Sequence, residues 1–270
     1  MPKSIYRELR EKARRIVAEF PRPSFYRVHA PERQRSLGFL GADSMVRVVH
    51  AFVVRQLEND FGHGLDHAEK VAVDAGALIL VEFPKNGYGP PMNIEECLRN
   101  AQIAGLLHDI KRKERHHASA GARYARSVLA AFGFVPETIE DVSQAIRNHE
   151  AFQNPSEINT VEGRFVSDCL YDADKFRWGP DNFQNTLWDM LIHLDPSLDE
   201  FLKRYPAGMD MIAKIKTTFR TETGKRFGPE FIDIGLAIGE KLYRFLLSEY
   251  PLVTSQSTDE TIWNAKKTKI

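Results

Sequence analysis

Apolar side chains recur every three to four residues through most of this chain. No convincing stretch alternates apolar with polar, as a half-buried strand would. That regularity supplies stripes for helices to bury against one another and leaves no material for a sheet. Ser4 to Phe20 carries Ile5, Leu9, Ala13, Ile16 and Val17 at helical spacing, and Pro21 with Pro23 ends it. Asp43 or Ser44 can cap a helix to about Glu58, with Val46, Val49, Phe52, Val53 and Leu57 inward. Gly62 and Gly64 precede a helix from Leu65 to about Phe83, and Pro84 to Pro91 reads as a surface loop. Asn93 caps the next helix, with Glu95 and Glu96 placed to suit its dipole. Further helices are expected at 116–132, 136–148, 160–173, 182–194, 209–222 and 229–249. The expected fold class is all-α, with an N-terminal helical extension over 1–41, a main helical domain over 42–250 and a C-terminal tail over 251–270.

Composition narrows the partners. Of 270 residues, 37 are Lys or Arg and 37 are Asp or Glu, so no net field draws the chain to nucleic acid or a membrane. The first 45 residues carry an excess of basic side chains, which a solvated helix with flanking coil explains without an RNA-contacting arm. Two cysteines, Cys97 and Cys169, sit in apolar contexts and read as buried free thiols in a reducing compartment. No apolar run is long enough for a bilayer or follows the basic start as in a signal peptide. The expectation is a soluble cytoplasmic protein.

Against this helical background one set of ionisable residues stands out. The apolar helix around AQIAGLL ends in His108-Asp109, where an unpaired buried charge would be costly, so a metal or another partner is expected there. Neighbours on a helix point about 100° apart, but both can face one centre where the helix unwinds. His63 and His67 lie upstream in GHGLDH, one turn apart. Downstream come His116 and His117, His149, and Asp172 and Asp174 in LYDADKF. Each histidine alone reads as a satisfied core or surface residue. Together, imidazole and carboxylate suit first-row divalent ions, and Asp109 can offer one oxygen to each of two. His117 shares a helical face with Gly121, Tyr124 and Val128, which favours it over His116. Glu150 follows His149 and could orient it. Lys111, Arg112, Lys113 and Arg115 form either a solvated turn or a basic rim for phosphate.

The order His, His-Asp, His, His, Asp resembles the HD-domain superfamily, from about Ala42 to Leu247. The resemblance implies a helical HD-domain bundle. Of the upstream pair it selects His67, leaving His63 as a catalytic or substrate-facing group. It places a ligand at Asp174, directly before Lys175, and leaves Asp172 to hydrogen bonding or capping. Members holding two ions carry the extra histidines where His117 and His149 stand. The implied ligand set is His67, His108, Asp109, His117, His149 and Asp174. The ions would be two divalent metals, with Mn, Fe, Co, Ni and Mg left undistinguished.

The resemblance also implies a metal-dependent phosphohydrolase acting on a nucleotide or another small phosphate ester through activated water. Asp109 would be the central catalytic residue, with Lys175, Lys111 and Arg112 meeting the substrate's phosphate. NHEAFQNPSE stands where members that hydrolyse cyclic dinucleotides carry GYP, which argues against such a substrate. Two other activities fit the same ligands. One is a di-iron oxygenase cleaving a C–C or C–P bond, and the other is a non-catalytic metal-binding sensor. Oligomeric state is not legible in the sequence.

Overall fold

The computed structural model describes residues 2–57, 64–88 and 92–250, without the side chains of 2–4 and 57. The described residues are helical and contain no strand. No single helix among them is long and apolar enough to cross a membrane. They pack into two compact units: Ser24–Phe176 with Thr218–Gly228, and Met1–Pro23 with Arg177–Thr217 and Pro229 onward. The expected tail over 251–270 lies outside the described residues.

The first unit is built on α5 (Gly64–Lys85). Every residue from Val71 to Glu82 is buried, so α5 is wrapped on all sides rather than along one stripe. Around it pack α3 (Ala30–Ala42), α6 (Ile94–Leu107) and α9 (Val161–Phe176), with α4 (Ser44–Leu57) against α6. The pair α7 (His117–Ala131) and α8 (Pro136–Arg147) closes over α6 and α9. Gly105 makes the closest approach possible, because a Cβ there would lie 2.6 Å from the Ala72 Cα. The contact holds α6 tight on α5 beside the His108 turn.

Two acids inside α5 fasten neighbouring segments. Asp74 accepts the Tyr26 hydroxyl at 3.0 Å, next to the short helix α2 (Phe25–Val28). It also accepts Arg33 Nε of α3 at 2.9 Å. Glu82 accepts the backbone N–H of Thr223 at 3.1 Å and the Thr223 hydroxyl. Both carboxylates are buried and paired, so their burial strengthens these contacts.

The second unit contains α1 (Pro2–Ala18), α10 (Leu187–Leu194) with a preceding π-turn at Asn182–Thr186, and α11 (Leu198–Ile215). It also holds most of α12 (Glu222–Glu249). The Tyr6 hydroxyl donates to the Pro196 carbonyl at 2.9 Å, and Arg10 donates to Asp189 and Asn185, both at 2.8 Å. Tyr205 and Tyr243 stack at 4.8 Å.

Several element bounds differ from the sequence reading, each for a physical reason. The flanking coil expected after residue 23 contains α3, which buries chiefly Ser36 and has no apolar stripe to detect. Ser36 donates to the Val73 carbonyl at 2.7 Å and accepts Gln102 Nε2 at 2.9 Å. The helix expected at 209–222 begins at Leu198, and Pro206 lies inside it. Its start is fixed by Ser197 and Glu200, which cap reciprocally. Likewise α12 starts before Pro229 and α5 runs through Pro84.

Candidate metal centre

His108 follows the last turn of α6 with helical backbone angles, and residues 108–116 then leave the helix axis as a series of turns. The unwinding lets adjacent residues meet one centre: the His108 Nε2 and Asp109 Oδ2 atoms are 3.8 Å apart. His67, in the first turns of α5, brings its Nε2 to 3.1 Å from His108 Nε2 and 3.8 Å from Asp109 Oδ2. From α9, Asp174 Oδ1 lies 3.4 Å from His67 Nε2 and 3.7 Å from His108 Nε2. One cluster therefore gathers His67, His108, Asp109 Oδ2 and Asp174.

The other oxygen of Asp109 faces a second cluster. Oδ1 is 3.6 Å from His117 Nε2, at the first residue of α7, and 3.6 Å from His149 Nε2, just beyond α8. Both groups could hold a metal ion, His67 with His108 and Asp109, and Asp109 with His117 and His149. The structure thus brings together all six residues expected as ligands. His116 takes a left-handed backbone conformation at the turn into α7 and is exposed. His63 lies outside the described residues.

The imidazoles are held in one orientation by groups behind them. His108 Nδ1–H donates to the Gly105 carbonyl at 2.8 Å, and His149 Nδ1–H to the Ile146 carbonyl at 2.6 Å. A carbonyl can only accept, so these bonds place the proton on Nδ1 and turn each Nε2 lone pair inward. Glu150 takes the same part for His117, 3.1 Å from its Nδ1. Sequence adjacency suggested His149 as the partner of Glu150, but that ring is already satisfied by the end of α8. Lys175 Nζ sits 2.5 Å from Asp174 Oδ2, which leaves Oδ1 for the cluster.

The donor set fits divalent cations. The two Nε2 atoms of His67 and His108 stand 3.1 Å apart and face the same centre as the carboxylates. Burial pushes the His67 pKa down, although Asp174 works against it. Burial also acts to lower that of His108, where Asp109 and Asp174 prevail and raise it. Burial acts to raise the Asp109 carboxyl, but His108, His149 and Arg112 hold it well below the usual range. Asp174 is held down in the same way, against burial, by Lys175, His108 and His67. Ionised carboxylates and inward imidazole lone pairs are what first-row divalent ions require.

The expected phosphate-binding residues fall in different places. Arg112 is half exposed, with Nη1 3.8 Å from Asp109 Oδ2, and stands at the rim. Lys111 turns to Glu114 at 3.2 Å and to the Tyr124 ring at 4.5 Å. The Lys175 ammonium is buried against Asp174 and lies 5.0 Å from the Tyr171 ring, so its first partner is the carboxylate.

Asp172 points away from the clusters. It accepts the N–H groups of Arg220 and Thr221, each at 2.8 Å, and the Thr221 hydroxyl at 2.7 Å. It thereby pins the segment leading into α12, as a hydrogen-bonding or capping role requires. Gly224 gives it room, since a Cβ there would come within 1.9 Å of Asp172 Oδ2. Arg220, which the sequence reading missed, stacks 3.7 Å over the Tyr171 ring and donates to the Asn148 carbonyl at 3.1 Å. It braces α9 and the residue before His149 together. Its partners are remote in sequence, and no local pattern marks it.

Residues 56–176 match the family model of the HD domain, a span that takes in His67 through Asp174. No curated protein and no solved structure matches the chain.

Proposed function

We propose, from the match of residues 56–176 to the HD domain, that this chain is a metal-dependent phosphohydrolase that hydrolyses a small phosphate ester or nucleotide at a pair of divalent ions. One observation carries the proposal: the two oxygens of Asp109 face two separate histidine clusters. His67, His108 and Asp174 would complete one ion's protein ligands, and His117 and His149 the other's, with Asp109 shared. A bound pair of such ions lowers the pKa of water and offsets charge that develops on a phosphoryl group.

The chain's own residues supply orientation and charge. Carbonyls of Gly105 and Ile146 and the carboxylate of Glu150 fix three imidazoles before substrate arrives. Lys175 commits one oxygen of Asp174 and thereby aims the other. Arg112 stands at the rim with a guanidinium whose fork suits phosphate oxygens, so the substrate's phosphate meets Arg112 rather than Lys175.

The test is phosphate release from nucleotides, dinucleoside polyphosphates and simple esters by protein loaded with manganese, iron, cobalt, nickel or magnesium. Turnover that disappears in Asp109→Ala is the expected result. Substrate-dependent oxygen uptake without phosphate release under any metal would replace the hydrolase with an oxygenase.

A further inference from the structure

A cavity of about 160 Å³ opens between α7 and α8, lined by Ser119, Arg123, Arg126, Ser143, Gln144 and Arg147. None of these residues belongs to the metal centre. On α7 the separation is helical: Gly121, Tyr124 and Val128 lie within about 40° of His117. Ser119, Arg123 and Arg126 lie about 180–240° around from it. The cavity is therefore on the face of α7 turned away from the clusters.

Its chemistry is cationic. Three arginines line it, and among the described residues Glu140 is the one carboxylate paired with any of them, 2.5 Å from Arg126 Nη1. Glu140 is also held by Gln144 Nε2 at 2.8 Å, which fixes Arg126 and leaves its other N–H groups available. Among the described residues, the guanidinium groups of Arg123 and Arg147 and the Ser119 hydroxyl have no hydrogen-bond or ion-pair partner. Ser143 is buried and donates its own proton to the Ile139 carbonyl at 2.5 Å, so it forms wall rather than donor. Arg123 and Arg147 are exposed beside the paired Arg126, so their guanidinium groups are available to an anion at the cleft.

We propose that this cleft binds a phosphate-bearing anion through Arg123, Arg126, Arg147 and Ser119. The volume falls below the roughly 300–1,000 Å³ of pockets that enclose drug-sized ligands. It therefore suits a phosphate or pyrophosphate group, either free or as the exposed chain of a nucleotide. Arg forks recognise such oxygens bidentately. Because α7 begins at His117 and α8 ends just before His149, a ligand bridging the two helices also braces that half of the metal centre.

The site is tested by calorimetric titration of full-length protein with inorganic pyrophosphate, and separately with ATP and with adenosine. The Asp109→Ala variant separates this site from the metal centre, and it should bind pyrophosphate as the unmutated protein does. Arg123→Ala with Arg147→Ala should weaken binding about a hundredfold, roughly tenfold for each lost charge-assisted contact. Metal content and phosphate-ester turnover should stay unchanged in that variant. Both arginines are exposed, and a melting curve confirms that the variant is folded. Arg147→Lys, which keeps the charge but loses the fork, should fall between. ATP binding without adenosine binding would identify a nucleotide's phosphate chain as ligand, and pyrophosphate binding alone would identify the free anion. Equal affinity in the unmutated protein and the double arginine variant, or loss of all binding in Asp109→Ala, would overturn the proposal.

Discussion

Asp109 is the residue on which both clusters depend, because no imidazole nitrogen can face two centres at once. Asp109→Ala should strip the protein of metal and abolish turnover together, read by elemental analysis beside an activity assay. Full metal content in that variant would contradict the assignment. Lys175 touches the ligand Asp174, so it is a positioning residue, and Lys175→Met should weaken metal binding about ten- to a hundredfold. Unchanged metal affinity with weaker substrate binding would return Lys175 to the phosphate-contacting role its sequence position suggested. At this scale the sequence was most legible. The order of His67, His108, Asp109, His117, His149 and Asp174 marked the six residues that converge. The partner of Glu150 was not legible, because adjacency says nothing about which ring nitrogen the backbone has already satisfied.

The packing of α5 on α6 rests on a glycine that no side chain can replace cheaply. An added Cβ at Gly105 meets the Ala72 backbone, which cannot swing aside as a side chain could. Gly105→Ala should therefore destabilise the protein by about 1–3 kcal/mol. Gly38→Ala in α3 meets nothing within 4 Å and should be neutral or stabilising by up to about 1 kcal/mol, from helix propensity. Denaturant midpoints of the two variants should move in opposite directions, and equal destabilisation would contradict the geometry. Burial pushes the Cys97 thiol up to about 12, so Cys97 should resist thiol reagents at pH 8 until the protein is unfolded. Rapid labelling of the native protein would show that α6 opens. Element positions followed from periodicity wherever a stripe existed, as in α1, where Leu9, Ala13, Ile16 and Val17 are buried. They failed for α3, which docks through a buried serine, and for α11, whose capping box lay unread ahead of Pro206.

Across the whole molecule, the ligands come from positions 67 to 174 and from five separate helices or their ends, α5 to α9, so bound ions would cross-link them. Chelation should lower the melting temperature. Free metal at a hundred times its Kd stabilises the folded state by about 2.7 kcal/mol. A melting temperature indifferent to chelator would deny the ions that part. The segment 218–228, which joins α5 and α9 through Thr223 and Thr221, could not be read from sequence. Its partners lie 48 to 141 residues away, beyond the reach of local pattern. The division into units escaped the sequence for the same reason, since each is assembled from discontinuous stretches.

The most direct test of the two-ion centre is to count metal in the unmutated protein and in His117→Ala with His149→Ala, both saturated with manganese, iron or cobalt. The account predicts two equivalents in the first and one in the second, with the variant still folded and His67, His108, Asp109 and Asp174 retaining their ion. A single equivalent in both would contradict it.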